Sequence, residues 1–226
     1  MFASLPGRVW WPTMGRMNGR ERVEPLPEEP RSGSGRRAQL LSIAARLFAE
    51  QGFTATTVRE IAEQAGILSG SLYHHFASKE EMVDEILRSY LGAQLAAFRR
   101  VTEEGGDPRQ ELTGLIRVSF AALPRHRRAM AILHHEGDYL AGFATFEYLG
   151  RADREFERIW VRVLRDGQRR GVFRPELNPG LAHRLIRDSV SSAVRWYNPT
   201  GRTSARAIAE HYTRIFCDGV VLGERE

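Results

Sequence analysis

From Arg36 onward the apolar residues recur at helical spacing almost without interruption, and nowhere do they alternate one by one as a half-buried strand requires. The chain is therefore confined to an all-α fold. Leu40, Leu41, Ala44, Leu47 and Phe48 form the first stripe, and Gly52 is placed as the left-handed residue that closes that helix. Thr57 followed by Glu60 is a capping box, Val58, Ile61, Ala62 and Ala65 make the next stripe, and Gly66 supplies the turn that ends a short second helix. Ser69 is placed to cap a third helix, Gly70 to Phe76, with Leu72 and Phe76 one turn apart and facing inward. Ser78 with Glu81 repeats the capping box and starts a long helix through Met82, Ile86, Leu87, Leu91 and Leu95. Five further helices are predicted: from Asp107 and Pro108 to about Leu123, Arg125 to about His135, roughly Phe143 to Arg170 with Gly171 as its stop, Asn178 to Tyr197, and Ser204 to Cys217.

Nine helices in 226 residues, 42% of them hydrophobic, are enough to enclose a sizeable core. Residues 1–36 read differently. Prolines and glycines lie there among charged side chains without periodicity, which predicts a flexible arm. Its arginines, Arg8, Arg16, Arg20, Arg22, Arg31 and Arg36, are placed to touch a DNA groove or to remain solvated. No apolar run approaches the roughly 18 residues a membrane span needs, so no membrane partner is expected. A single cysteine, Cys217, excludes disulfide and zinc-finger scaffolds and points to a reducing, cytoplasmic setting.

Catalytic chemistry finds no support either. An enzyme needs a nucleophile with its base, paired carboxylates or a phosphate-gripping glycine loop, and none is evident. His134, His135 and Glu136 are consecutive, and consecutive helical side chains point about 100° apart, so they make a poor metal site. No catalytic residue, cofactor or metal is implied. The formal net charge is +5, but residues 37–91 carry five basic against seven acidic side chains, whereas Arg162 to Arg206 includes ten arginines against Asp166, Glu176 and Asp188. Nucleic-acid contact by the front of the chain must then rest on aimed polar groups rather than on bulk charge.

Two short helices joined by a glycine turn are the arrangement that lays its second helix in a major groove. Here the third helix crowds Ser69, Gly70, Ser71, Tyr73, His74 and His75 around two inward apolar side chains. Thr57, at a helix start, and Lys79, which opens the next helix, have the option of a phosphate. The stretch TTVREIAEQAGILSGSLYHHFASKEEMVDEIL, residues 56–87, resembles the DNA-binding domain of TetR family transcriptional repressors, over residues 37 to about 91. The resemblance implies phosphate contacts from Thr57, Tyr73, His74 and Lys79, with Ser69, Gly70 and Ser71 nearest the bases. His74 departs from the tyrosine usual at its place.

It further implies that residues 92–226 form an effector-binding and dimerisation domain, giving a homodimer on a palindromic double-stranded operator. Small residues between Leu181 and Tyr197 (Ser189, Ser191, Ser192, Ala193) and the apolar Ile208, Tyr212, Ile215 and Phe216 suit helix pairing, within one chain or between two. Phe120, Leu133, Phe143, Phe146, Trp160 and Trp196 are available as pocket walls. Arginines with apolar walls suit an acyl group joined to a phosphorylated handle. GVFRPELNP (171–179) and RDSVSSAVRWYNPTG (187–201) are similar to actinobacterial members of the family that control sterol-ring catabolism and respond to acyl-CoA thioesters. On that basis Arg187 and Arg195, two turns apart, are the candidates for the CoA phosphates, with Ser191 between them and Trp160 and Trp196 beside the ligand.

Overall fold

In the computed structural model, residues 33–103 and 106–220 are described; the sequence-predicted arm lies outside them except for its last residues. Among the described residues there are nine α-helices and no strand: α1 (Gly33–Gln51), α2 (Val58–Gln64), α3 (Ser69–Leu72), α4 (Lys79–Glu103), α5 (Pro108–Ala121), α6 (Leu123–Ala141), α7 (Tyr148–Arg169), α8 (Pro179–Trp196) and α9 (Ala205–Val220). These helices make one compact unit. Left-handed glycines stand at Gly52 (φ 90°), Gly66 (φ 65°) and Gly171 (φ 69°), the three helix stops that the sequence points to. Asn178 accepts the Leu181 N–H at 3.0 Å ahead of Pro179 in the first turn of α8, and Ser204 Oγ accepts the Ala207 N–H at 3.1 Å.

Several boundaries differ from expectation, each for a local reason. α1 begins at Gly33, so Arg36 is helical and donates to the Ala65 carbonyl at the end of α2 (3.0 Å). α3 is four residues long, its N-cap is Leu68 rather than Ser69, and residues 73–76 continue as hydrogen-bonded turns back to Ser71 and Leu72. At α4, Ser78 Oγ accepts the Glu81 N–H, but the Glu81 carboxylate returns to the Ala77 N–H at 2.6 Å instead of to Ser78. α6 takes Pro124 into its first turn, where a missing N–H does no harm, and runs on to Ala141. A 3₁₀ turn at Ala144–Phe146 buries Phe146 and separates α7 from what precedes it.

Two apolar clusters organise the unit. The first gathers Leu40, Phe48, Phe53, Ile61, Leu72, Phe76, Met82 and Leu87 from α1 to α4, and α6 adds Ala129, Ile132 and Leu140. The second gathers Phe98, Leu112, Ile116, Phe120, Trp160, Leu164, Phe173, Ile186 and Val194, and the opposite side of α6 supplies Met130 and Ala131. Thus α6 is packed from both sides. α5 packs on α9, α6 on α8, and α7 on both α4 and α8.

Gly167 marks the tightest approach in this packing. A Cβ there would lie 2.1 Å from the ring of buried Phe173, whose N–H also bonds the Gly167 carbonyl at 3.1 Å. Gly167→Ala is expected to lower the unfolding free energy by about 1–3 kcal/mol, the usual range for overpacking, read as a reduced midpoint in urea titration. An unchanged midpoint would contradict this packing.

Candidate functional site

The α2–α3 hairpin turns a polar face outward. Thr57, Gly70, Ser71 and His74 are exposed, Tyr73 is 56% exposed, and Ser69 is half-buried, while Leu72 and Phe76 anchor the hairpin from below. Leu68, at the start of α3, is 81% exposed. The Thr57 hydroxyl accepts the Glu60 N–H (3.2 Å) and donates to Glu60 Oε2 (2.9 Å), and the Thr57 N–H goes to the same carboxylate at 2.7 Å. Hydrogen bonds from the Thr57 backbone and hydroxyl hold the Glu60 carboxyl below its usual pKa. A phosphate arriving here meets the open first amides of α2, because Thr57 is already engaged by Glu60.

Lys79 occupies a different place from the one its position in the sequence suggests. Its Nζ donates to the carbonyls of Phe53 (2.9 Å), Thr56 (3.1 Å) and Thr54 (3.4 Å), and it sits 4.4 Å from the centre of the Phe53 ring. All three ammonium protons are thereby directed at the turn that precedes α2. The other basic groups of this region are similarly engaged. Arg37 pairs with Glu81 and Glu85 and lies over the Phe76 ring, Arg46 bonds Glu50 and Gln64, and Arg88 bonds Asp84. Exposed Arg59 on α2 is the one basic side chain of residues 37–91 outside these contacts, among the described residues. Sequence reasoning passed it over, although its place directly after the helix start at Val58 was visible.

A cavity of about 570 Å³ opens between α4, α5, α6, α7 and α8. Its interior is Phe98, Met130, Trp160, Ile186 and Val190, with three buried polar residues among them, Gln94, Ser119 and His183. Its mouth carries exposed His134, Asp138, Asp153, Arg187 and Asp188. Arg187 reaches Asp153 and Asp188, each at 3.3 Å. The mouth is therefore acidic by two charges when its histidine is neutral. Burial, and then the neighbouring Arg187, hold His183 below the usual imidazole pKa; burial, His135 and Arg195 do the same for His134.

Of the residues expected at a ligand, Trp160, Arg187 and Ser191 line this cavity. Arg195 and Trp196 do not: Arg195 continues the same face of α8 one turn past Ser191 and is exposed, and Trp196, the next residue round, is 58% exposed. Leu133 is a wall, whereas Phe120 and Phe146 are core side chains and Phe143 lies outside. Gln94, His183, Asp153 and Asp188 were missed. Gln94 had a legible signal, being a polar residue on the buried side of α4 together with Val83, Leu87 and Phe98.

The cavity and the hairpin share two helices. α4 carries Lys79 at its first residue and Tyr90, Leu91, Gln94 and Phe98 on the cavity wall. α6 supplies Met130, Leu133 and His134 to the wall, while Glu136 Oε1 accepts the Phe53 N–H at 3.3 Å and Arg128 donates to the Ser42 carbonyl at 3.3 Å. Such an arrangement, an exposed polar hairpin above a helical body with a half-apolar cavity, defines a helix-turn-helix DNA-binding regulator with an internal ligand site.

Comparison with known proteins makes the assignment specific. Residues 40–86 match the family described as bacterial regulatory proteins, tetR family, and residues 105–220 match the tetracyclin repressor-like C-terminal domain. The HTH-type transcriptional repressor KstR2 of Rhodococcus jostii is 46% identical over 199 residues, 88% of this chain and 98% of the relative. The structure of the ketosteroid transcriptional regulator KstR2 of Mycobacterium tuberculosis superposes with a TM-score of 0.81 at 43% identity, covering 85% of this chain and 98% of that one. AibR in complex with isovaleryl coenzyme A and operator DNA shares the fold, with a TM-score of 0.69 at 22% identity over 80% of this chain and 97% of its own. The chain belongs to the TetR family and is a ligand-responsive transcriptional repressor.

The Lys79 contacts generate a prediction about the turn before α2. Lys79→Met removes charge-assisted bonds to three carbonyls, so stability should fall by about 1.5–3 kcal/mol in denaturant titration, with a parallel loss of DNA binding. Loss of DNA binding with wild-type stability would assign Lys79 to phosphate alone.

Proposed function

We propose that the protein is a cytoplasmic homodimer that represses genes of sterol or lipid catabolism and leaves its operator when an acyl-CoA thioester enters the cavity. Residues 37–91 act as the DNA-binding domain and residues 92–226 as the effector and dimerisation domain. Two α3 helices, held about 34–36 Å apart by the dimer, enter successive major grooves of a palindromic operator. Ser69, Gly70 and Ser71 approach the bases; Tyr73, His74, the start of α2 at Thr57, and Arg59 approach the phosphates. Lys79 contributes through the turn it holds. The exposed apolar side chains Leu181, Leu185 and Trp196 on α8 and Ile215 on α9 supply the surface for the second copy.

The observation that carries this reading is the cavity, apolar inside, open at a charged mouth and walled in part by the same two helices, α4 and α6, that brace the hairpin. A ligand that displaces either helix changes the separation of the two α3 helices, so ligand and DNA oppose each other by reciprocal linkage. An acyl group suits the apolar interior. Arg187 can exchange Asp153 and Asp188 for a phosphate of the CoA handle, and Arg195, one turn beyond Ser191, extends the positive face along the cleft. AibR, whose fold this chain shares, was crystallised with isovaleryl coenzyme A, so the architecture accommodates a ligand of this class.

The test is a gel shift with the gene's own upstream region, titrated with acyl-CoAs and the corresponding free acids. Retardation of the duplex and its release by a thioester are expected; a chain that ignores its upstream DNA sinks the proposal. Arg187→Ala with Arg195→Ala should leave DNA affinity intact and abolish release. Arg59→Ala should weaken binding to all sequences alike and make the log–log salt slope shallower by about one unit per phosphate that Arg59 neutralises.

A further inference from the structure

Leu68, in the turn from α2 into α3, is the most exposed large apolar side chain among the described residues. Folding does not explain it. Its backbone is extended (φ −71°, ψ 144°) and its carbonyl accepts the Ser71 N–H at 2.9 Å, which makes it the N-cap of α3. Serine, threonine, aspartate or asparagine at that place would accept one of the free amides of the first turn, and leucine accepts none. An isolated exposed leucine is ordinary on a protein surface; one that displaces a helix cap on the DNA-facing hairpin is not. Gly70, two residues on, is a second such choice. Its φ is not left-handed, and a Cβ there would meet no atom within 4 Å, so alanine would suit the helix better. Neither the leucine nor the bare backbone helps the free protein, and both help a turn that closes on an outside surface.

We infer that Leu68 reads thymine in the operator, seating its side chain against the C5-methyl group in the major groove. The inference rests on α3 entering that groove. Base edges there present donors and acceptors, and the thymine methyl is the one substantial apolar group among them. Against a cytosine amino group or a purine N7 a leucine would cover a polar atom without pairing it, so it disfavours the wrong base as well as favouring the right one. Exposed Ser71 and His74 and half-buried Ser69 carry the groups that can pair with polar edges or phosphates. Leu68 adds an apolar probe beside them, and Gly70 leaves the α3 backbone free to come close. Residues 37–91 carry five basic against seven acidic side chains, so bulk attraction is weak and contacts at base edges decide where the protein settles.

The experiment uses the full chain and duplexes from the gene's own upstream region, with each thymine of the footprinted palindrome replaced in turn by 2′-deoxyuridine. That change removes the methyl group and keeps the hydrogen-bonding pattern of the base. For wild type, a thymine in each half-site should prove sensitive, affinity falling about fourfold when one half-site is changed and roughly fifteenfold when both are, as one buried methyl per half-site predicts. Leu68→Ala should bind the thymine operator more weakly than wild type and should not distinguish thymine from deoxyuridine at that position. Leu68→Ser should lose the same distinction yet melt at or above the wild-type temperature, because it restores a cap, a result that a structural role for the leucine would not produce. A wild type that binds the duplex but ignores every substitution overturns the inference alone, without recourse to any variant. Sensitivity that persists in Leu68→Ala also overturns it, by assigning the methyl group to another residue or to the shape of the DNA. A chain that retards no upstream duplex overturns the inference together with the groove reading beneath it.

Discussion

Helix α6 is buried on two opposite sides, and the rest of the molecule is arranged around that constraint. Ala129, Ile132 and Leu140 belong to the apolar cluster beneath the DNA-facing hairpin, and Met130 and Ala131 belong to the cluster of the helical body. Polar bonds repeat the same division. Arg127 donates to the Val194 carbonyl on α8 at 2.8 Å, its neighbour Arg128 to Ser42 on α1, and Glu136 accepts the Phe53 N–H. Close-packed interiors switch between discrete arrangements and deform little, so a helix gripped from both sides transmits a displacement instead of absorbing it.

The recognition helix depends on its surroundings more than any other element. Four residues with an uncapped leucine at their head cannot persist alone, since nucleation fixes several dihedrals for one hydrogen bond. α3 exists because Leu72 and Phe76 are fully enclosed in the cluster built by α1, α2 and α4, and because Arg36, bonded to the Ala65 carbonyl, and Arg37, over the Phe76 ring, hold the chain on either side of it. In a region with two more acidic than basic side chains, most positive groups act within the fold. On the proposed reading, affinity for DNA then comes from directed polar groups, helix starts and the doubling that a dimer provides, which favours sequence reading over indiscriminate attachment.

The cavity divides its chemistry by depth. Charged groups stay at the exposed mouth, where water screens them, and neutral polar groups sit inside among aromatic and aliphatic walls. Arg187 already has two carboxylate partners there. On the proposed acyl-CoA reading, a phosphate would compete with Asp153 and Asp188 for that guanidinium.

Helical periodicity, the turn glycines and the hairpin were determined by local chemistry, and a linear reading recovered them. Gly52, Gly66 and Gly171 are left-handed because each ends a helix where a side chain would strain the backbone, and Thr57 with Glu60 caps α2 through atoms three residues apart. Leu72 and Phe76 are inward because one helical turn brings them together. Lys79 and Gln94 were decided at longer range: the carbonyls that receive Lys79 lie 23 to 26 residues away, and Gln94 meets the cavity only after α5, α7 and α8 close over α4. Arg195 and Trp196 show the same limit, since helical spacing puts Arg195 in line with Arg187 and Ser191 but cannot say where the cavity ends. Spacing along a chain reports which residues share a face; what lies opposite that face is set by packing between distant segments, and burial, ion pairing and ligand contact all follow from it.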